Sequence, residues 1–337
     1  MKKNLIIKSL FLLLSSPVLA QEFTEIEVTN GNGIIYGEAI WIDSQNDNIK
    51  EAVVSGASDN YDHYATLINN HEGQLSRDSV NQLEGLSLSS LDKADFNQDG
   101  YMDLIMNGYN GTENIVNLYI NNTDGSYTLT QTDIIGTTNG RIRTADFNSD
   151  NLSDIIITGV DTSGTYSARV YLQNAQGDFD LKTNSLMDNY FGDIAILDGD
   201  ADGDLDVLLT GFDLNYTPNA KFYLNDGTGI FTEKTDAGIE GIYFSSSSVA
   251  DYDMDGDLDI LINGFNTSYT AETALYSNDG SNIFTKLTST PFENLYFGTA
   301  DFVDSDLDGD MDIFITGQNS SSVSKSYFYK NDTKRSR

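Results

Sequence analysis

DYDMDGDLD runs from Asp251 to Asp259 and leads without a break into ILING, Ile260–Gly264. Aspartate occupies positions one, three, five, seven and nine of that nonapeptide, with Gly256 at position six. The apolar run is too short for a helix and rich in β-branched residues, so it reads as a strand. The same pairing recurs as DFNQDGYMD-LIMNG from Asp95, DFNSDNLSD-IIITG from Asp146, DGDADGDLD-VLLTG from Asp198 and DSDLDGDMD-IFITG from Asp304. A weaker copy, DSQNDNIKE-AVVSG, starts at Asp43. The starts fall 51 to 53 residues apart, so one unit is repeated six times. A period of this size is the mark of stacked supersecondary repeats.

Outward from each nonapeptide the unit is regular. A strand precedes it, as in GRIRTAD or YFGDIAILD; after the strand-ending glycine come a polar loop and an aromatic strand (YATLIN, VNLYIN, ARVYLQ, KFYLN, TALYS, SYFYK). An Asn/Asp/Gly turn and a fourth strand such as SYTLTQ, DFDLKT, IFTEKT or IFTKLT complete it. Four antiparallel strands per repeat specify an all-β, six-bladed β-propeller of four-stranded blades. The last unit ends at SYFYKNDTKRSR without a fourth strand, and the segment QEFTEIEVTNGNGI after residue 20 resembles GIFTEKTDAGIEGI at Gly229. Residues 23–28 are therefore expected to complete the last blade and close the ring, leaving no free sheet edge. An open β-solenoid is the alternative, but it needs capping units that the sequence lacks.

The nonapeptides have the chemistry of a hard-cation site. Closely spaced carboxylate and amide oxygens, a carbonyl at position seven and a glycine that turns the chain at position six suit calcium. With no cysteine and two histidines in the chain, zinc and copper are poor fits. Magnesium prefers fewer protein ligands and more water. The expected ligands are Asp95, Asn97, Asp99, Tyr101 and Asp103; Asp146, Asn148, Asp150, Leu152 and Asp154; Asp198, Asp200, Asp202, Asp204 and Asp206; Asp251, Asp253, Asp255, Asp257 and Asp259; and Asp304, Asp306, Asp308, Asp310 and Asp312. The weaker set is Asp43, Gln45, Asp47, Ile49 and Glu51. Position twelve, the bidentate glutamate of an EF-hand, is apolar in the five strong copies, and no helix follows. Position nine is therefore expected to ligate directly, with each loop between the first and second strands of its blade.

The chain as a whole has 337 residues, 52 acidic against 18 basic, and a net charge of −34. Such a surface excludes nucleic acid and anionic lipid as partners. Residues 1–20, MKKNLIIKSLFLLLSSPVLA, have the basic start, apolar stretch and small-residue end of a signal peptide. The apolar stretch is shorter than a membrane span. Residues 21–337 are then a single secreted or extracytoplasmic domain, with calcium in place of the disulfides usual there.

These loops, with Phe191-Gly192 and Phe297-Gly298 preceding two of them, resemble the FG-GAP/VCBS repeat proteins, the propeller family that includes the integrin α-subunit head. The resemblance implies calcium in the loops and leaves the partner open, since members include adhesins, lectin-like proteins and appendages of enzymes. The chain departs from integrins in blade count and in carrying a calcium loop in nearly every blade. Tyr190, Phe191, Tyr243, Phe244, Tyr296 and Phe297 are candidate contacts for an extracellular glycan or protein; packing of blade against blade is their other reading. No nucleophile elbow or P-loop is present, and His63 and His71 read as surface residues. The favoured reading is a non-catalytic adhesion or ligand-binding module; a calcium-dependent polysaccharide lyase or hydrolase is the alternative. Trp41, in the strand before the first loop, is expected in the core.

Overall fold

The computed structural model describes residues 34–58, 60–71 and 74–331, and every regular element among them is a β-strand. The first unit is β1 (Ile35–Ile42), β2 (Glu51–Ala57), β3 (His63–His71) and β4 (Gln74–Arg77); the second is β5 (Ser87–Ala94), β6 (Asp103–Tyr109), β7 (Asn114–Asn121) and β8 (Tyr127–Thr130). The third is β9 (Thr137–Thr138), β10 (Ile142–Ala145), β11 (Asp154–Asp161), β12 (Tyr166–Gln173) and β13 (Phe179–Lys182). The fourth is β14 (Ile194–Leu197), β15 (Asp206–Phe212), β16 (Pro218–Asn225) and β17 (Phe231–Glu233). The fifth is β18 (Ile242–Ala250), β19 (Asp259–Asn266), β20 (Ala271–Asn278) and β21 (Phe284–Lys286); the sixth is β22 (Ala300–Val303), β23 (Asp312–Gln318) and β24 (Ser324–Tyr329).

Within each unit the strands pair antiparallel in chain order, except that the short β9 pairs with β11. A single bridge, Asn219 to Ile242, joins the fourth and fifth units into one sheet. Each acidic nonapeptide lies between the first and second strands of its unit, as its position before an apolar run requires. The last unit has three strands among the described residues. The segment expected to supply its fourth strand, and the expected signal peptide, lie outside the described residues.

The second strands explain the order of packing. Leu104–Met106, Ile155–Ile157 and Val207–Leu209 are fully buried, so these strands are covered on both faces and read as continuous apolar runs rather than alternating ones. Alternate residues serve opposite neighbours: Leu104 and Met106 pack with Val53 and Leu67 of the first unit, while Ile105 packs with Ile142 and Ile157 of the third. Every core cluster joins two consecutive units in this way. The first strands lie side by side in turn, β1 on β5, β5 on β10, β10 on β14, β14 on β18 and β18 on β22. Trp41 departs from expectation: Ile42 is fully buried and Ile40 packs against the same core, and the alternation of β1 leaves Trp41 52% exposed.

Because the cores lie between units, a cavity in one is expected to loosen two. Leu208→Ala, in the cluster shared by the fourth and fifth units, should cost about 2–5 kcal/mol by urea denaturation. Leu307→Ala, on an 87% exposed side chain, should stay within about 0.5 kcal/mol.

Candidate metal centres and aromatic face

The six nonapeptides fold alike. In every one the N–H of position six donates to Oδ2 of the aspartate at position one, from 2.7 Å for Asn151 to Asp146 up to 3.2 Å for Gly309 to Asp304. In every one the N–H of position seven donates to Oδ1 of position five, as Tyr101 does to Asp99 at 2.9 Å and Asp257 to Asp255 at 3.0 Å. In all but the last, the N–H of position five also reaches Oδ1 of position one. Position six has the expected left-handed backbone, including Asn48 at φ 67° and Asn151 at φ 65°. Position four shares it with no glycine to ease it: Asn46, Gln98, Ser149, Ala201, Met254 and Leu307 lie at φ 54° to 62°. The first loop matches the others in fold, although Gln45 replaces a carboxylate and Glu51 holds the Ser44 N–H at 3.0 Å.

Three loops gather their carboxylates. Oxygens of Asp198, Asp200 and Asp202 lie within 4.8 Å of one another, as do those of Asp251, Asp253 and Asp255 and those of Asp304, Asp306 and Asp308. Asp310 is 3% exposed, and its Oδ1 meets no donor; Oδ1 of Asp200, Asp253 and Asp304 is likewise shielded and unpartnered. In the second and third loops Asn97 and Asn148 instead donate to Asp99 and Asp150, each at 3.0 Å.

Position nine has a task that spacing alone does not reveal. Asp103 accepts the N–H of Phe96 at 2.9 Å and of Asn121 at 2.8 Å; Asp154 accepts those of Phe147 and Gln173, and Asp259 those of Tyr252 and Asn278. These carboxylates pin the loop to the third strand of their own unit. Burial pushes Asp103, Asp154, Asp206 and Asp259 up to about 6 from an ordinary 3.8; backbone N–H groups oppose the rise, and neighbouring loop aspartates add to it. A carboxyl raised on folding favours the folded state only while protonated. Its contribution is complete below 3.8 and lost as pH rises through about 6.

At the other end of the units, the residues seven places before the loops share one backbone strain. Tyr36, Leu88, Asn139, Phe191, Phe244 and Phe297 all have φ between 46° and 55°, a rare state for bulky side chains. A bulge makes room for it, and Gly192 shows the constraint: a Cβ there would lie 1.7 Å from the Thr210 carbonyl oxygen. These residues also link units, the Phe191 N–H donating to Asn139 O and the Phe244 N–H to Phe191 O, both at 2.6 Å. Around them runs a ladder of rings: Tyr166–Tyr190 at 4.6 Å, Phe212–Tyr243 at 3.9 Å, Phe265–Tyr296 at 4.1 Å, and Phe191–Phe244–Phe297 at 4.6 Å steps. Tyr190, Tyr243 and Tyr296 are buried in this stack between units, whereas Phe297 stays 56% exposed.

Three exposed tyrosines on the same face escaped the sequence reading, the first being Tyr61, three residues after Ser58 at φ 63°. Tyr216 and Tyr269 follow Asp213 and Asn266 by three residues, at φ 61° and 57°, in turns where the third unit uses Gly164. The inner-strand charges were also missed. Arg143 reaches Glu38 at 3.0 Å and Asp193 at 3.5 Å, and Arg141 reaches Asp193 at 3.3 Å. Burial would raise the Glu38 carboxyl, but Arg143 and Arg141 overcome it and hold it at about 2. His63 packs edge-on against Tyr109 at the start of β3, and His71 ends that strand.

Chelator-treated protein should lose thermal stability as pH rises from 4 to 7, through the window of the position-nine aspartates. Circular-dichroism melts at each pH check this; a midpoint that climbs across the window contradicts it.

A family model described as "FG-GAP-like repeat" matches residues 95–157 and 198–262. No curated protein matches the chain in sequence. Among solved structures, the chain is similar to an Aleuria aurantia lectin in complex with alpha-methyl-L-fucoside, at 12% identity and TM-score 0.53, covering 90% of this chain and 94% of the lectin. Another structure of the Aleuria aurantia lectin, described as a six-bladed β-propeller, matches at 11% identity and TM-score 0.52 over 88% and 93%. A mutant of AofleA from Arthrobotrys oligospora matches at 11% identity and TM-score 0.55 over 88% and 84%. Among the described residues no helix is long and apolar enough to cross a membrane. The chain carries FG-GAP-like repeats at residues 95–157 and 198–262, and its all-β fold is similar to that of the propeller lectins.

Proposed function

We propose that the chain is an exported, calcium-loaded propeller of six blades, closed by residues 23–28, that binds carbohydrate on its aromatic face. The observation that carries the calcium reading is Asp310, 3% exposed with a carboxylate oxygen that meets no donor. A buried anionic oxygen costs several kcal/mol unless a donor or cation satisfies it. The shielded oxygens of Asp200, Asp253 and Asp304 repeat the pattern in three loops. An all-oxygen set of aspartates, carbonyls and water selects calcium over zinc. In the second and third loops Asn97 and Asn148 would supply the third oxygen, and in the first Gln45 would. Bound calcium neutralises the loop carboxylates; the chain's own residues fix where those oxygens stand.

Closure into a ring is supported by Arg143 of the third unit, which reaches past the second unit to Glu38 of the first. Side chains of non-consecutive units meet in this way where first strands converge on an axis.

Carbohydrate is favoured as ligand by Tyr216 and Tyr269. Left-handed backbone at a non-glycine residue costs about 1–3 kcal/mol, and it persists where function uses the side chain. These rings meet the buried Tyr190 and Tyr243 edge-on, at 6.2 and 6.0 Å, and still leave 63% and 58% of their surface exposed. An amphipathic ring next to aspartate and asparagine suits stacking on a sugar with hydrogen bonds to its hydroxyls. The Aleuria lectin of similar fold was solved with a methyl fucoside.

Melting the purified chain in EDTA and again in millimolar calcium tests the first part: a rise of several degrees on calcium addition is expected, and superimposable curves refute it. A glycan array tests the second. Tyr216→Gly should cut retention about tenfold or more while holding or raising the melting temperature, since glycine relieves the turn. Retention unaffected by Tyr216→Gly and Tyr269→Gly together removes the aromatic face as the ligand site.

A further inference from the structure

Each acidic loop is tied to the next by one side chain at the end of the third strand. Asn121, in the second unit, donates its N–H to Asp103 Oδ1 at 2.8 Å and its side-chain amide to the Ser44 carbonyl of the first loop at 2.8 Å. Gln173 joins Asp154 to the Phe96 carbonyl of the second loop at 2.9 Å, and Asn225 joins Asp206 to the Phe147 carbonyl of the third at 2.8 Å. Asn278 joins Asp259 to the Gly199 carbonyl at 2.6 Å, and Asn331 joins Asp312 to the Tyr252 carbonyl at 3.0 Å. The carbonyl that is gripped always belongs to position two, the residue after the first aspartate of the neighbouring loop. In four loops the N–H of that same residue donates to its own position-nine carboxylate. Where Gly199 does not, Asn282 of the next unit, fully buried, donates to Asp206 at 2.9 Å instead.

The result is one hydrogen-bonded line from the first loop to the last, passing through every position-nine residue. Asn121, Gln173, Asn225 and Asn278 are buried, so the links are shielded from water and cannot be exchanged for solvent without cost. Because the ends of each link are held by adjacent loops, a change in one position-nine carboxylate shifts the position-two backbone of its neighbour.

We infer that these amide residues are positioning residues that couple the loops, so that filling one loop with calcium prepares the next and the ring loads cooperatively. The inference rests on the calcium reading above and adds to it a direction of communication, around the ring between adjacent units. Linkage makes it reciprocal: a loop that cannot bind must weaken its neighbours by the same factor.

Calcium is titrated calorimetrically into the chelator-treated full chain. A Hill coefficient above about 1.5 is expected for the native chain, and a lower but not abolished one in Asn225→Ala, which divides the line between the third and fourth loops, with the number of ions bound unchanged. A purely structural amide would lower the melting temperature and leave the coefficient alone, and that result overturns the coupling. Independent binding in the native chain also overturns it; absence of any binding overturns the calcium reading instead. Should Asn225→Ala not fold, Asp255→Asn keeps the amides and disables the fifth loop. Hydrogen exchange should then show the calcium midpoint of the fourth and sixth loops raised about fivefold or more while the second loop is unmoved. Equal shifts in all loops, or none, contradict the proposal.

Discussion

The constraint on which the structure depends is the crowding of carboxylates where each first strand turns into its second. Up to five aspartates share nine residues, as in Asp198–Asp206, and their oxygens approach within 4.8 Å. Backbone N–H groups satisfy part of this charge: position six and, in most loops, position five donate to position one, and position seven donates to position five. The loop is shaped by those donations, which is why positions four and six are left-handed throughout. What remains, the shielded oxygens at positions one, three and seven, is negative charge that no donor among the described residues meets, and it is this charge that the calcium proposal answers.

The units are stable through each other rather than alone. A second strand buried on both faces has no core within its own four-stranded sheet; it divides its side chains between the preceding and following units. Stability in such arrays is shared across nearest-neighbour interfaces. The acidic loops at one end, the left-handed ring residues with their aromatic ladder at the other, and the Glu38–Arg143–Asp193 network on the first strands then hold successive units in register. An acidic chain without disulfides thus has three separate sets of contacts between neighbours.

Much of this was legible in the sequence because it is local. The strand order, the place of the loops between first and second strands, and the left-handed backbone at position six follow from nine residues and the run after them. Most of the failures are between units. Asn121 and Gln173 are ordinary polar ends of the strands VNLYIN and ARVYLQ until the neighbouring loop is beside them. Arg143 reads as a polar strand residue until Glu38, more than a hundred positions away, faces it. Within a unit, the place of Trp41 in the strand before the first loop suggests the core, but the alternation of β1 turns it outward. The left-handed state of Phe191 and its equivalents carried a signal, the recurrent pair Phe-Gly, yet Leu88-Ser89 and Phe244-Ser245 occupy the same bulge and mask it.

The claim at the centre is that calcium completes the acidic corners. Native mass spectrometry of the purified chain, before and after exhaustive chelation, measures this directly. A mass loss corresponding to one calcium ion for each of the five strong loops is expected, with a sixth if Gln45 and Glu51 suffice in the first. An identical mass before and after, from a sample prepared in millimolar calcium, contradicts the account.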